Sequence, residues 1–367
     1  MSAVVLSASG MIALCVAFIA AHLLARTSFL PDLPNERSSH ARPTPRSGGI
    51  AITLGFLAAV AVAIAGDALP SISHEGGAEL SLTLMIFAAF ASVAAAVGFI
   101  DDRFELAPLV KLLSQIVLAI AFVGTFGGLT GVPAPVIGSL SLPGWLGSII
   151  STFWIVAFIN GYNFMDGANG IASSAAIVVS AALAAAAAAT GSPVVVLCAL
   201  ATSFALIGFL RLNFPEGRLF MGDSGSHAVG FILASLPLIA TRDSGLTPLF
   251  VPIAMAPFLA DVAFTLVRRG LARKPLLQAH RDHIYQLMLK SGATHTRVTA
   301  WYAAGTAFCT GVALAVATTP ASVQWSAVFA IYGGALLVFV SVIRSTDETR
   351  LERQPRRRLK GVPTSAE

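Results

Sequence analysis

Five polar clusters interrupt an otherwise apolar chain, and their residue types suit phosphate and metal chemistry. In MGDSGS (221–226), Asp223 sits among two glycines and two serines at the start of an apolar run. A helix beginning there presents free N–H groups and a partial positive charge, which suits a phosphate. Two readings of Asp223 are open: it caps that helix, or it holds Mg²⁺, which prefers hard oxygen ligands and bridges phosphate oxygens. Asp101 and Asp102 follow GFI directly. Adjacent carboxylates repel unless a metal or a cation stands near, and Lys111 lies close enough in sequence to fold back onto them; the plainer alternative is a solvated helix end. HRDHIYQ (280–286) sets His280 and His283 three apart amid Arg268, Arg269, Arg273, Lys274 and Arg281. That is either a phosphate-binding patch or a basic loop with incidental histidines, and no zinc-ligand spacing accompanies it. HARPTPRSGG (40–49) carries His40, Arg42 and Arg46 before a glycine pair that allows close backbone approach. Finally, FINGYNFMDGANGIA (158–172) concentrates three Asn, one Asp and three Gly where a simple turn needs two such residues.

The elements that carry these clusters follow from composition. Of 367 residues, 56% are hydrophobic and 11% charged, too few charges for a water-facing surface. Runs of spanning length fall near 3–25, 48–66, 80–100, 109–127, 145–162, 170–190, 193–210, 226–241, 248–267, 298–317 and 323–343. Continuous runs mean helices rather than barrel strands. The expected fold is therefore an all-α integral membrane bundle of about eleven transmembrane helices. It forms one polytopic domain over 1–343 with a basic, disordered tail over 344–367. The first run lacks the preceding charge and the cleavage site of a signal peptide and reads as a retained helix. Cys15, Cys198 and Cys309 all lie in apolar runs, as buried small side chains.

Sidedness follows from counting. Loops after odd-numbered spans, with the tail, hold all Lys and Arg except Arg242, 22 of 23. The positive-inside rule puts that side, the C-terminus included, in the cytoplasm and the N-terminus outside, in the periplasm. All five clusters fall on the same cytoplasmic side. Net charge +5 is a topological signal, and no nucleic-acid partner is expected. One pocket with carboxylates, cations and helix ends at a membrane face suits a reaction between a soluble phosphorylated substrate and a lipid phosphate. The rival reading is a transporter using Asp and His for ion or proton coupling. Such sites sit near the bilayer midplane, not at one face.

The ordered set HARPTPRSGG, GFIDD, NxxNFMDGANGIA, FMGDSGS and HRDHIYQ, over residues 32–286, resembles the polyprenyl-phosphate N-acetylhexosamine-1-phosphate transferases, the MraY/WecA superfamily. The resemblance implies transfer of a sugar 1-phosphate from a UDP-N-acetylhexosamine to undecaprenyl phosphate in the bacterial inner membrane. UMP is released, Mg²⁺ is required (Mn²⁺ an admissible substitute), and a homodimer is compatible with it. It implies Asp223 and Asn163 at the metal, and Asp101, Asp102, Lys111, His280 and His283 as catalytic residues. Arg46, Asn160, Asp166, Asn169 and Arg281 are expected to bind substrate. The last loop lacks the triple histidine of the peptidoglycan branch and the HIHH-like run of the enterobacterial one. It resembles the WbpL-like branch that initiates O-antigen with 6-deoxy-N-acetylhexosamines.

Overall fold

A computed structural model describes residues 2–27, 29–32, 43–67, 77–275 and 280–358. The chain folds as a helical bundle. Helices α1 (Ala3–Leu24), α2 (Gly48–Asp67), α3 (Gly77–Phe104) and α4 (Pro108–Phe126) are followed by α5 (Gly144–Met165), α6 (Ile171–Thr190) and α7 (Pro193–Asn213). Then come α8 (Gly222–Ser244), α9 (Phe250–Ala254), α10 (Ala256–Leu271), α11 (Ile284–Lys290), α12 (His295–Val316) and α13 (Ala321–Arg358). Pro108 and Pro193 open α4 and α7, where a missing N–H costs nothing. Gly191 and Gly245 close α6 and α8 in the left-handed conformation.

Among the described residues, ten helices are long and apolar enough to cross a membrane. The expected span at 248–267 is instead two helices, α9 and α10, broken at Met255. Pro257 lies in the first turn of α10, has no N–H to donate back into α9, and so favours a restart over a continuous helix. Helix α13 runs on from the last span into the basic tail; its side chains beyond Ser345, and residues 359–367, lie outside the described residues.

Helix α8 is the axis of the bundle: 94% of its spanning stretch is buried, against 6% for α13 at the periphery. Without a hydrophobic drive between helices in lipid, close packing depends on small residues and interlocking rings. A Cβ on Gly55 would meet the Ala13 carbonyl at 2.6 Å, so α1 and α2 touch backbone to backbone there. Phe87, Phe90, Phe122 and Phe231 join α3, α4 and α8 through edge-to-face, tilted and stacked ring pairs 5.4–6.4 Å apart. Away from the polar clusters, β3 (Gly131–Ala134) pairs antiparallel with β4 (Gly138–Ser141), and Trp325 donates to the Pro133 carbonyl. The α1–α2 connection holds the short pair β1 (Pro31–Asp32) and β2 (Thr44–Pro45).

Candidate active site

The end of α3, the starts of α4 and α8, and the end of α5 meet in one polar cluster. Lys111 Nζ lies 2.6 Å from Asp101 Oδ2 and 2.5 Å from Asp223 Oδ2, so one ammonium joins carboxylates from two helices. Asn163 donates to Asp223 Oδ1 and to Ser226 Oγ, both at 2.8 Å. Asp101 Oδ1 also accepts from the Leu106 N–H, which shapes the short α3–α4 turn.

Asp102 faces the other way. Its carboxylate accepts the N–H groups of Asp223 (3.0 Å) and Ser224 (2.9 Å) at the start of α8. The orphan donors of that helix are thus satisfied from α3, and Asp223 is not the cap. Exposure agrees: the Asp102 side chain is 2% exposed and that of Asp223 30%. Arg46 locks the arrangement, donating from Nη2 to the Asp102 carbonyl at 2.6 Å. Residues 45–49 lie along the strand-like entry to α8: Phe220 N–H donates to Pro45, Gly48 N–H to Phe220 and Gly49 N–H to Met221. A Cβ on Gly49 would stand 2.0 Å from the Gly225 nitrogen, which is why glycine is needed there. His40 and Arg42 lie outside the described residues.

The last loop closes the cluster from the side. Phe164, between Asn163 and Asp166, packs near the rings of His280 and His283, at 6.5 and 6.0 Å. The two imidazoles are 5.0 Å apart. Burial, then the charges of His283 and Arg269, lower the His280 pKa to about 4, so its ring is neutral at physiological pH. Burial raises Asp166 to about 7, helped by the negative charges of Asp223 and Asp102. For Asp282, burial pushes upward but its hydrogen bond to Arg269 outweighs it, leaving the carboxyl below its ordinary value.

Two expected site residues, Asn160 and Asn169, meet partners outside the charged cluster. Asn160, on the same face as Asn163 but one turn deeper, donates to Gln115 Oε1 and the Val156 carbonyl, below the charged cluster. Asn169 donates to the Pro215 carbonyl and accepts from Thr299 through its own carbonyl, fastening the α5–α6 turn to α12. Arg281, half-buried, accepts from Lys290 through its carbonyl at 2.5 Å, and its charge acts on the Tyr285 hydroxyl that bonds Phe164.

One residue that matters to the site, Asp261, lay inside an apolar run. Asp261 of α10, buried, accepts the N–H groups of Ile284 and Tyr285, the Tyr302 hydroxyl at 2.6 Å and the Thr265 hydroxyl, and stands 3.3 Å from His283 Nδ1. It holds the His283–Tyr285 part of the HRDHIYQ loop. Tyr285 in turn donates to the Phe164 carbonyl at 3.0 Å, and a Cβ on Gly167 would collide with its hydroxyl at 2.0 Å. A lone carboxylate within an apolar run is the signal that marks Asp261 in the sequence.

Among the described residues, no three His, Cys, Asp or Glu side chains converge as a complete metal cage. The donor set still fits Mg²⁺. Two hard carboxylate oxygens, on Asp101 and Asp223, face one cation between them. Mg²⁺ is held by one or two carboxylates plus substrate phosphates and water, not by an all-protein cage.

Comparison with known proteins accords with this geometry. The pattern of glycosyl transferase family 4 matches residues 83–241. The chain is 31% identical to the decaprenyl-phosphate N-acetylglucosaminephosphotransferase of Mycobacterium leprae, over 72% of this chain and 71% of the relative. It is 26% identical to the probable undecaprenyl-phosphate N-acetylglucosaminyl 1-phosphate transferase of Bacillus subtilis, over 85% and 83%. With the corresponding Thermotoga maritima undecaprenyl-phosphate enzyme the identity is 24% over 71% and 73%. A multi-pass bundle with its polar cluster at the ends of α3, α4, α5 and α8, and this degree of likeness, place the chain in glycosyl transferase family 4, the MraY/WecA superfamily of polyprenyl-phosphate N-acetylhexosamine-1-phosphate transferases.

Proposed function

We propose that this chain transfers the 1-phosphate of an N-acetylhexosamine from a UDP-sugar to undecaprenyl phosphate at the cytoplasmic face of a bacterial plasma membrane. A phosphate oxygen of the lipid bonds to the sugar-bearing phosphorus, the P–O bond to the uridylyl phosphate breaks, and UMP leaves with that electron pair. The observation that carries this reading is the Lys111 ammonium shared by Asp101 and Asp223 where α3, α4 and α8 meet. It is a charged cluster at the end of a membrane bundle, on the side where the Lys and Arg residues gather. Mg²⁺, when bound beside these carboxylates, would neutralise the diphosphate and stabilise the leaving phosphate.

The chain's own groups have distinct tasks. Lys111 lowers the repulsion between Asp101, Asp223 and incoming phosphates. Asp223 and Asn163 hold the cation side of the diphosphate, and Asp101 orients the lipid phosphate or takes its last proton. Asp102 and Arg46 position the start of α8. His280 offers a neutral imidazole whose buried Nδ1 lacks a partner among the described residues, available to a donor phosphate or sugar hydroxyl. His283, held beside Asp261, keeps that loop in place.

The three relatives compared are named for N-acetylglucosamine, whereas the HRDHIYQ loop favours the 6-deoxy-N-acetylhexosamines that initiate O-antigen. The product is the first lipid-linked intermediate of a cell-envelope polysaccharide such as O-antigen. Purified protein with undecaprenyl phosphate, Mg²⁺ and, in parallel, UDP-N-acetylglucosamine or its 6-deoxy analogues tests the reading. UMP release requiring both lipid and Mg²⁺, and lost in Asp223→Asn, is expected. No release with any donor, or full activity in Asp223→Asn, overturns it.

A further inference from the structure

Behind the charged cluster lies a second polar layer that repeats it one helical turn deeper. Lys111 and Asp223 join α4 to α8; four residues further along each helix, Gln115 Nε2 meets His227 Nε2 at 2.9 Å. On α5, Asn163 donates to Asp223, and Asn160, three residues earlier, donates to Gln115 Oε1 at 2.5 Å. On α3, Asp101 belongs to the first layer and Gly98, three residues earlier, to the second. A Cβ on Gly98 would stand 2.1 Å from the Asp223 carbonyl and 2.6 Å from His227 Nδ1. The same four helices thus meet twice, about 4.5–6 Å apart along their axes, as the helical rise dictates.

The direction of these bonds is fixed from one end. The Val156 carbonyl can only accept, so the Asn160 amide that donates to it must be the nitrogen. That nitrogen donates to Gln115 Oε1, which leaves the Gln115 nitrogen to donate to His227 Nε2. His227 therefore carries its ring proton on Nδ1. Gln115 and His227 are 2% and 1% exposed. A directional, buried chain of this kind defines a rotation and a height for each helix that apolar packing would leave loose.

We propose that Asn160, Gln115 and His227 are positioning residues: their buried chain sets the register of α4, α5 and α8 and so holds Lys111, Asn163 and Asp223 at reacting distance. This rests on the transferase reading for its kinetic consequence and on geometry alone for its structural one. It also gives Asn160 a role away from substrate.

Two measurements test it. In the first, His227→Leu and Gln115→Leu are compared with wild type for turnover. The expected loss is ~10–100-fold in kcat, the scale seen when supporting partners of a metal site are removed, with the KM for the UDP-sugar changed less than about threefold. His227→Gln, which keeps an acceptor toward Gln115, should recover most of the rate. In the second, Lys111→Cys/Asp223→Cys protein in membranes is treated with a short bis-methanethiosulfonate. Cross-linking should be rapid, and at least about fivefold slower when Gln115→Leu is added. Unchanged kcat and unchanged cross-linking in the leucine variants overturn the proposal, as does equal loss in His227→Gln and His227→Leu. Inactive wild-type protein with register-dependent cross-linking would remove the transferase reading and leave the positioning layer standing.

Discussion

Asp102, at the end of α3, holds the backbone N–H groups of Asp223 and Ser224 at 3.0 and 2.9 Å, across 121 and 122 residues of chain. The pair divides two carboxylates that sequence alone cannot rank. Asp102 is a helix cap supplied in trans, and its neighbour Asp101 carries the charge that faces Lys111 and Asp223.

Asp101 and Asp102 should therefore fail differently. Asp102→Ala removes two charge-assisted hydrogen bonds from buried donors and should lower stability by about 1–3 kcal/mol, seen as a reduced Tm in detergent, along with activity. Asp101→Ala should keep its Tm within a few degrees and lose turnover by ~10²-fold or more. If Asp101 takes a proton, raising the pH should partly rescue Asp101→Ala; if it only orients the lipid phosphate, pH should change nothing. Near-equal Tm and half or more of wild-type activity in both variants would sink the assignment.

Lys111 stands between Asp101 and Asp223 and pairs with both, so its removal leaves two carboxylates facing each other. Lys111→Met should be inactive and less stable. Because a divalent cation can take over the neutralising role, added Mg²⁺ should raise its Tm more than that of wild type. An equal Mg²⁺ response in both proteins would show that Lys111 does not offset this carboxylate pair.

His280 gives a pH signature. Its folded pKa, lowered by burial to about 4, lies below the ordinary 6.5. A depressed histidine contributes stability that is present above the unfolded pKa and is lost as pH falls toward the folded one. Wild type should therefore lose stability relative to His280→Gln as the pH drops from about 6.5 to about 4, and not above pH 7. Because the ring is half-buried, the effect should be modest. Thermal unfolding of the two proteins between pH 4 and 8 measures it; parallel curves would mean the imidazole titrates normally.

Membrane orientation is testable directly. Reporter fusions after residues 135 and 245 should read periplasmic, and fusions after 220 and 360 cytoplasmic, as the distribution of Lys and Arg requires. An inverted pair would place the polar clusters in different compartments and contradict the shared site.

By itself, the sequence determined the class of structure and the whereabouts of the chemistry. Apolar runs of spanning length demand helices because backbone groups cannot go unpaired in lipid, and one-sided charge puts every cluster at one end. The motifs then pointed to phosphate transfer. Tertiary structure decided what depends on rotation and long-range pairing. Asn160 and Asn163 read alike in sequence and share a helix face, yet about one turn of depth gives one Gln115 as its partner and the other Asp223. Asn169 looked like part of the same wall and instead ties its turn to α12, because the chain turns away at Gly170, which adopts φ +77°. Asp261, Gln115 and His227 sat unremarked within or beside apolar runs, since a polar side chain's value inside a bundle lies in the partner it meets, and those partners are 22 to 112 residues away. The break at Met255 was also invisible to hydropathy, which counts apolar residues and not the N–H that Pro257 lacks.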